Sequence, residues 1–382
     1  MDSAIMTERG LIAFFEDLHR HPELSMCETR TAAKIREALT AAGIETVPCS
    51  LPTGVMAVIR GAKPGRTVGL RADMDALPVG EETGLPYASE VPGVMHACGH
   101  DFHTSCMLGA AMMLKRREGK LRGTVKIVFQ PGEETSDGGK KMAQEPFLAD
   151  VEEFYACHTY PAFPAGTLGF RTGPVMAAPD AFTIVIHGKG AHAGNPHQGT
   201  DPIPAAASLI LAAQTLISRR KDAFEPAVLS FTHVQAGSTW NIIPSDVLLE
   251  GTLRTLDEDL RLNVRERLSA MTDMIASAHG CTAVIRWDIG PGPLINDALL
   301  VRAGEDLAKR MGFRTRPQDN TMGGEDFSEY LHGIPGLFVR VGTGGGYTNH
   351  HPKFAADKAA LWPAAAFFAG LVSERLADQP AK

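Results

Sequence analysis

The sequence predicts a mixed α/β fold, in which a largely parallel sheet is covered by helices on both faces and interrupted by an inserted ferredoxin-like α+β domain. Short apolar segments alternate with helical segments towards both ends of the chain, which is typical of parallel sheets buried on both faces. Residues 178–288 instead follow the order β-α-β-β-α-β of a ferredoxin-like unit. Because 382 residues suffice for about two domains, we expect residues 1–177 and 289–382 to form the larger one.

The larger domain begins with helices. Ser25 and Glu28 have the spacing of a capping box, and the Ala/Ile/Leu pattern after them runs to Gly43, a typical helix stop. Short strands are predicted at Val55–Ile59, Val68–Arg71, Val125–Phe129 and Phe154–Cys157, with a helix at Thr104–Arg117. Beyond the insertion, a helix at Asp297–Met311, a strand at Gly336–Val341 and a C-terminal helix resume the alternation.

The inserted domain has its own rhythm. Its predicted elements are the strand Phe182–Ile186, the helix Pro202–Arg219, the strands Ala227–Val234 and Val247–Thr255, the helix Asp257–His279 and the strand Thr282–Trp287. Turn-rich segments at 172–174 and 290–293 flank these elements and favour a hinge at each border.

Composition argues against several classes of protein. The chain has 37 basic and 44 acidic residues, so it lacks the basic footprint that nucleic-acid binding needs. No apolar run approaches the roughly 18–20 residues that cross a bilayer, and Met1–Gly10 has no secretory signal pattern. The six cysteines lack CxxC spacing and are expected to be reduced thiols. We therefore expect a cytoplasmic protein.

The segment His96–His103 concentrates side chains that can bind a metal ion, at a predicted strand-to-helix junction. It could place a thiolate and an imidazole on one ion. A helix N-cap at Asp101 with incidental histidines is the alternative interpretation. The segment alone does not decide between them.

Further polar groups follow other predicted strands. They are Asp73 and Asp75, the pair Glu133 and Glu134, the segment Cys157–Pro161, and the segment Asn349–Pro352 after a glycine-rich loop. Ligands gather at the carboxyl ends of strands in open α/β sheets, and paired glutamates permit one metal ligand and one general base. A solvated acidic turn or a hydrogen-bonded structural histidine would explain any one of these groups. Together they indicate a single site.

Eight ordered segments carry a resemblance to a known family. They are LHRHPELS (18–25), RADMDALP (71–78), HACGHD (96–101), PGEE (131–134), GAHAG (190–194), PHQGTDP (196–202), MGGEDF (322–327) and HHPKF (350–354). The chain resembles the M20 metallopeptidases, in the branch of aminoacylases, hippurate hydrolases and indoleacetyl-amino-acid hydrolases. The likeness runs nearly end to end. Phe102 stands where this family usually has a small residue, and Pro363 interrupts an expected final helix.

The resemblance implies a dinuclear metal site and a reaction. The implied ligands are Cys98, His100, Glu134, His158 and His350, which would hold two divalent ions of Zn²⁺, Mn²⁺, Co²⁺ or Ni²⁺. Glu133 is implied as the general base, and Asp75 as a residue that supports the site. The implied reaction is hydrolysis of an N-acyl amino acid by a water held between the ions. A dipeptidase or carboxypeptidase on the same scaffold, or a non-catalytic binding module, is the alternative.

The resemblance also assigns a role to the inserted domain, as a lid and dimerisation domain of a homodimer or a dimer of dimers. His192 is implied to reach the active site of the partner subunit, whereas a structural histidine in a tight turn is the alternative. Asn241 and Arg254 are implied to contact the substrate. For Arg254, a surface salt bridge on a strand is an equally good interpretation. The roles of Asp73, His103, Glu325 and His351 stay open.

Overall fold

A computed structural model describes residues 7–377 of the chain and divides it into two compact units. Among the described residues, the first unit comprises 7–173, Ile295–Asp319 and 326–377. The second comprises Pro174–Leu294 and Asn320–Glu325. Within residues 7–377, none of the helices combines the length and the hydropathy needed to span a bilayer.

The helices alternate with strands along most of the chain. They are α1 (Glu8–Arg20), α2 (Thr29–Ala41), α3 (His100–Lys115), α4 (Gly139–Ala143), α5 (Pro202–Arg219), α6 (Glu258–Ala278), α7 (Ala298–Arg310) and α8 (Leu361–Ala377). Asp201, Asp257 and Asp297 each accept a hydrogen bond from a backbone N–H of the first turn of α5, α6 and α7. These carboxylates satisfy amides that have no partner within the helix, which fixes where each helix begins.

The strands are β1 (Glu45–Val47), β2 (Val55–Arg60), β3 (Lys63–Asp73), β4 (Arg122–Gln130), β5 (Glu153–Tyr160), β6 (Thr167–Phe170), β7 (Gly173–Met176), β8 (Ala178–His187), β9 (Ala191–His192), β10 (Ala227–Ala236), β11 (Ile242–Ile243), β12 (Asp246–Thr255), β13 (Thr282–Ile289), β14 (Leu294–Asn296), β15 (Arg314–Pro317) and β16 (Gly336–Gly342).

The first unit is built on one sheet with the strand order β1-β2-β4-β3-β5-β16-β6-β15. The central neighbours β4, β3, β5 and β16 are mutually parallel, whereas β1, β2 and β6 add antiparallel pairs. Consecutive residues of β3, β5 and β16 are buried, so both faces of the sheet are covered. The prediction of a mixed, largely parallel sheet is confirmed.

The second unit contains an antiparallel sheet with the order β10-β12-β8-β13. Buried residues alternate with more exposed ones along β8 and β12, which is the pattern of a sheet covered on one face. The helices α5 and α6 pack against this sheet and against each other. The chain order and the strand order are those of a ferredoxin-like unit, as predicted.

Three local predictions differ from the structure. The helix α2 begins at Thr29, because the Ser25–Glu28 pair does not form a capping box; Glu28 stands at the N-cap position without capping the helix through its side chain. The helix α3 begins at His100 rather than at the predicted Thr104, because its first turn consists largely of polar residues that do not fit an apolar helical pattern. Pro363 does not interrupt α8, since it lies in the first turn, where its missing N–H costs no helical hydrogen bond.

Candidate metal centre

The carboxyl ends of the parallel strands bring the polar groups together. The register pairs Asp73 at the end of β3 with Gln130 at the end of β4, and Tyr160 at the end of β5 with Gly342 at the end of β16. Because these strands are parallel, the segments that follow them leave the sheet at one edge. Asp75, the Glu133–Glu134 pair and the loop that carries His350 are all in such segments.

Cys98 is at the centre of a group of side chains that can bind metal. Its Sγ lies 3.4 Å from Nε2 of His158 and 3.3 Å from Nε2 of His350. Oε1 of Glu134 lies 3.5 Å from Nε2 of His350 and 3.8 Å from Nε2 of His100. The structure thus brings all five predicted ligands together, and their donor atoms approach one another as ligands of shared ions would.

Two backbone features shape this group. Gly99 has a φ of +86°, and a Cβ there would meet the side chain of Thr159 at 2.7 Å, so only glycine fits between Cys98 and His100. His350 is a non-glycine residue with a φ of +68°. Such conformations cost free energy and concentrate at functional sites. The side chain of His350 is 56% exposed, which opens one side of the group to solvent.

The electrostatics of the group fit a bound cation. Burial raises the pKa of the Cys98 thiol well above its usual range; the hydrogen bond and charge of His100 lower it, but the Glu134 and Glu133 carboxylates raise it again, so the thiolate needs further positive charge nearby. Nε2 of His100 and Oε1 of Glu134 are buried without a hydrogen-bond partner among the described residues. Buried polar atoms nearly always have a hydrogen-bond partner. Two neighbouring atoms without one, 3.8 Å apart, therefore indicate that a ligand belongs between them. The residues present therefore fit a metal site.

Asp75 orients the group from behind. One of its oxygens lies 3.1 Å from Nδ1 of His100, and the other accepts hydrogen bonds from Oγ of Ser25 at 2.6 Å and from the backbone N–H of Glu134 at 3.1 Å. A carboxylate on the second nitrogen of a ligating histidine fixes its tautomer and ring orientation. The capping-box spacing predicts a helix cap at Ser25 and gives no indication of this contact with Asp75.

His103 has a structural role, although it lies beside the site. Its Nδ1 is 2.7 Å from Oδ1 of Asp73, and its Nε2 accepts the backbone N–H of Thr159 at 2.8 Å. Asp73 is in turn paired with the guanidinium of Arg71 at 2.7 Å. Both ring nitrogens are engaged, so His103 is not available as a ligand and instead holds the end of β5.

Glu133 lies next to His100 and Glu134 in this group. Its Oε2 is 3.9 Å from Nε2 of His100, and its side chain is 13% exposed. His351, by contrast, accepts the backbone N–H of Lys353 and stacks on Tyr347. Of the two adjacent histidines, only His350 therefore directs its ring towards Cys98.

The remaining predicted site residues belong to the second unit. His192 on β9 is exposed and pairs with Ile242 on β11, and the carbonyl of Asn241 accepts the N–H of Ala193 at 3.1 Å. His192 and Asn241 thus share one two-stranded ribbon. Arg254 is half-buried on β12 and donates through Nη1 to the carbonyls of Asp180 and Leu253 and to Thr252. Local contacts rather than a surface salt bridge hold this guanidinium.

Comparison with known proteins places these features in a family. The model of peptidase family M20/M25/M40 matches residues 69–374. N-acetyl-L-cysteine deacetylase of Bacillus subtilis is 43% identical over 360 residues, which cover 94% of this chain and 86% of the relative. Thermostable carboxypeptidase 1 of Saccharolobus solfataricus is 36% identical over 365 residues, which cover 93% and 92%.

Among solved structures, a dinuclear metal binding peptidase of the M20 family from Bacillus subtilis matches with a TM-score of 0.88 at 40% identity. The match covers 97% of this chain and 99% of that chain. The chain belongs to peptidase family M20/M25/M40, and the resemblance predicted from its motifs is confirmed.

Proposed function

We propose that this chain is a metal-dependent amidohydrolase, which cleaves the amide bond of N-acyl amino acids and releases a carboxylic acid and a free amino acid. The observation that carries the proposal is the convergence of Cys98, His100, Glu134 and His350 beside Glu133 in a chain of family M20. The relative that deacetylates N-acetyl-L-cysteine supports this substrate class. The intact set of metal-binding side chains argues against a non-catalytic module.

The proposed chemistry divides labour among the side chains. Two divalent ions of Zn²⁺, Mn²⁺, Co²⁺ or Ni²⁺, held by Cys98, His100, Glu134, His158 and His350, would supply Lewis-acid polarisation of the amide carbonyl and acidify water. Glu133 accepts the proton of the attacking water and passes it to the nitrogen as the C–N bond breaks. Asp75 keeps His100 and the backbone of Glu134 in place throughout.

The adjacent glutamates provide a test of this division. Glu133→Gln keeps the shape of the side chain and removes the base, so turnover should fall by at least about 10²-fold with metal content unchanged. Glu134→Gln should instead weaken metal binding. Metal analysis and steady-state kinetics of both variants measure the two effects. The reverse pattern would show that the roles of base and ligand are exchanged.

A carboxypeptidase is the second candidate, because a relative with that name is 36% identical over nearly the whole chain. Both activities release an amino acid with a free carboxylate, so they differ only in the group on the acyl side. Nη1 of Arg254 is engaged locally, which leaves its Nε and Nη2 for that carboxylate. N-acetyl and N-benzoyl amino acids should be cleaved faster than dipeptides and N-blocked dipeptides with the same C-terminal residue.

The second unit is proposed to act as a lid and dimerisation domain. In this proposal the chain forms a homodimer or a dimer of dimers, and the ribbon that carries His192 and Asn241 serves the site of the partner subunit. When a His192→Ala chain and a Glu133→Gln chain are mixed and allowed to exchange subunits, they would form heterodimers. One of the two sites in each heterodimer would be intact, because it takes Glu133 from one chain and His192 from the other. Activity should then recover to about a quarter of wild type for statistical exchange. No recovery in heterodimers verified by native mass spectrometry would contradict the role of His192.

We also propose a cytoplasmic location. All six cysteines are free thiols in the part of the chain that the structure describes. Chains of secreted proteins more often carry their cysteines in disulfides. Measured activity in a cytosolic rather than a membrane or secreted fraction would agree with this location.

A further inference from the structure

The segment from Glu23 to Glu28 lies against the loops that carry the candidate metal centre. Glu23 caps α2, because its carboxylate accepts the backbone N–H groups of Arg30 at 2.9 Å and Thr31 at 2.8 Å. Glu28, five residues later in the same segment, does not cap α2 through its side chain. The two glutamates flank the start of one helix but have different partners.

The side chain of Glu28 extends to the loop of the adjacent glutamates. It is fully buried, and its Oε1 accepts the backbone N–H of Gly132 at 2.8 Å and that of Met26 at 2.9 Å. Oε2 is buried without a partner among the described residues. Burying a carboxylate has a large desolvation cost. If Glu28 contributed only to stability, capping α2 would be a simpler arrangement than a buried contact with another loop.

Gly132 is the point at which this loop is fixed. Its φ is +63°, and a Cβ there would meet Sδ of Met26 at 2.8 Å. Its carbonyl accepts the N–H groups of Asp137 at 3.1 Å and Gly138 at 3.3 Å, which close the loop on itself. The N–H of Gly132 points the other way, to Glu28, and is the contact that ties the closed loop to the N-terminal segment.

We propose that Glu28 is a positioning residue, which places Glu133 and Glu134 by holding the N–H of Gly132 immediately before them. This inference rests on the proposed function for the roles of the two glutamates. A shift of the loop by about 1 Å moves a base and a ligand together, and displacements of that size can cost on the order of 10²-fold in rate. Loss of the Glu28 acceptor therefore affects both turnover and metal affinity.

Three variants test the proposal. Glu28→Ala removes the acceptor and should lower kcat at least about tenfold, with a smaller change in KM. It should also weaken the binding of Zn²⁺ or Mn²⁺ to metal-stripped protein by about 10–100-fold, as loss of an outer partner of a ligand does. Glu28→Gln keeps an acceptor oxygen and should stay within about threefold of wild type in both measurements. If Glu28→Ala does not fold, Glu28→Asp, whose shorter side chain cannot reach Gly132, should give the same losses.

Glu23→Ala is the matched control, because it removes the cap of α2 without touching the loop. It should lower the melting temperature, while kcat and metal affinity stay at the wild-type values. The proposal would be overturned if Glu28→Ala, like Glu23→Ala, lowered only the melting temperature and left kcat and metal affinity unchanged. It would also be overturned if Glu28→Ala and Glu28→Gln lost kcat and metal affinity to the same extent. Titration of metal into stripped protein needs no substrate, so this test stands even if no N-acyl amino acid is cleaved and the proposed function fails.

Discussion

His19 should make the stability of the chain depend on pH in the alkaline range. The imidazole is buried, with Nδ1 2.6 Å from Asp101 and Nε2 3.2 Å from Glu81. Burial alone would lower its pKa, but the hydrogen bond and charge of Asp101, followed by those of Glu81, raise the pKa to about 9. The folded protein therefore holds a proton on His19 at pH values where the unfolded chain has lost it.

The size of the effect follows from the shift. Raising the pKa of His19 from 6.5 to about 9 corresponds to about 3 kcal/mol, at about 1.4 kcal/mol for each pKa unit. Because the folded-state pKa is the higher one, this stabilisation is fully present below pH 6.5. It is lost progressively as the pH rises to about 9. Above that pH, it no longer contributes to the free energy of unfolding.

Urea unfolding of metal-stripped wild type and His19→Gln measures this contribution. The difference in the free energy of unfolding between the two proteins should shrink by about 3 kcal/mol from pH 6 to pH 9.5. If the two units unfold separately, the change belongs to the transition of the first unit. His332→Gln, at an exposed position, is the matched control and should unfold like wild type. A difference that is the same at both pH values would refute the reasoning.

Three further substitutions follow from the packing and from the site. Gly69→Ala would place a methyl group 2.1 Å from the ring of Phe154 on the adjacent strand, so it should destabilise the first unit by about 1–3 kcal/mol in urea unfolding. Arg261→Met leaves the buried carboxylate of Asp180 without its guanidinium, 2.9 Å away in the wild type, and should cost about 3–5 kcal/mol. Adding Asp180→Asn should recover part of that loss. Cys98→Ser should weaken metal binding in a titration of stripped protein, because a hydroxyl does not provide a thiolate ligand.

The strands and their carboxyl ends were predictable from the sequence. Apolar runs such as Val125–Phe129 mark buried strands, and ligands collect where parallel strands end. The same rule groups Asp75, the Glu133–Glu134 pair and His158 from the sequence alone. The order of elements in 178–288 likewise identified the ferredoxin-like unit. Each of these predictions depends on short patterns of neighbouring residues that recur along the chain.

The start of α2 was not predictable in the same way. Ser25 and Glu28 have the spacing of a capping box, but that spacing does not specify which amide each side chain binds. In the fold, Glu23 caps the helix, whereas Ser25 and Glu28 bind groups that are 50 and 104 residues away in sequence. Only the tertiary arrangement brings Asp75 and Gly132 within reach, so the supporting roles of Ser25 and Glu28 could not be found from local patterns.

The beginning of α3 shows a related limit. His100, Asp101 and His103 are buried, although polar residues normally mark an exposed helix face. They can be buried because each has a buried polar partner: His100 pairs with Asp75, Asp101 with His19 and His103 with Asp73. Hydrophobic periodicity therefore placed the helix start at Thr104, one turn too late.

The most direct test of the central claim is a metal titration followed by activity. Protein stripped with a chelator should not hydrolyse an N-acetyl amino acid. Hydrolysis should return as a divalent ion is added and should reach its plateau at about two equivalents per chain, as expected for a dinuclear site. Full activity in protein shown by elemental analysis to be free of metal would contradict the account.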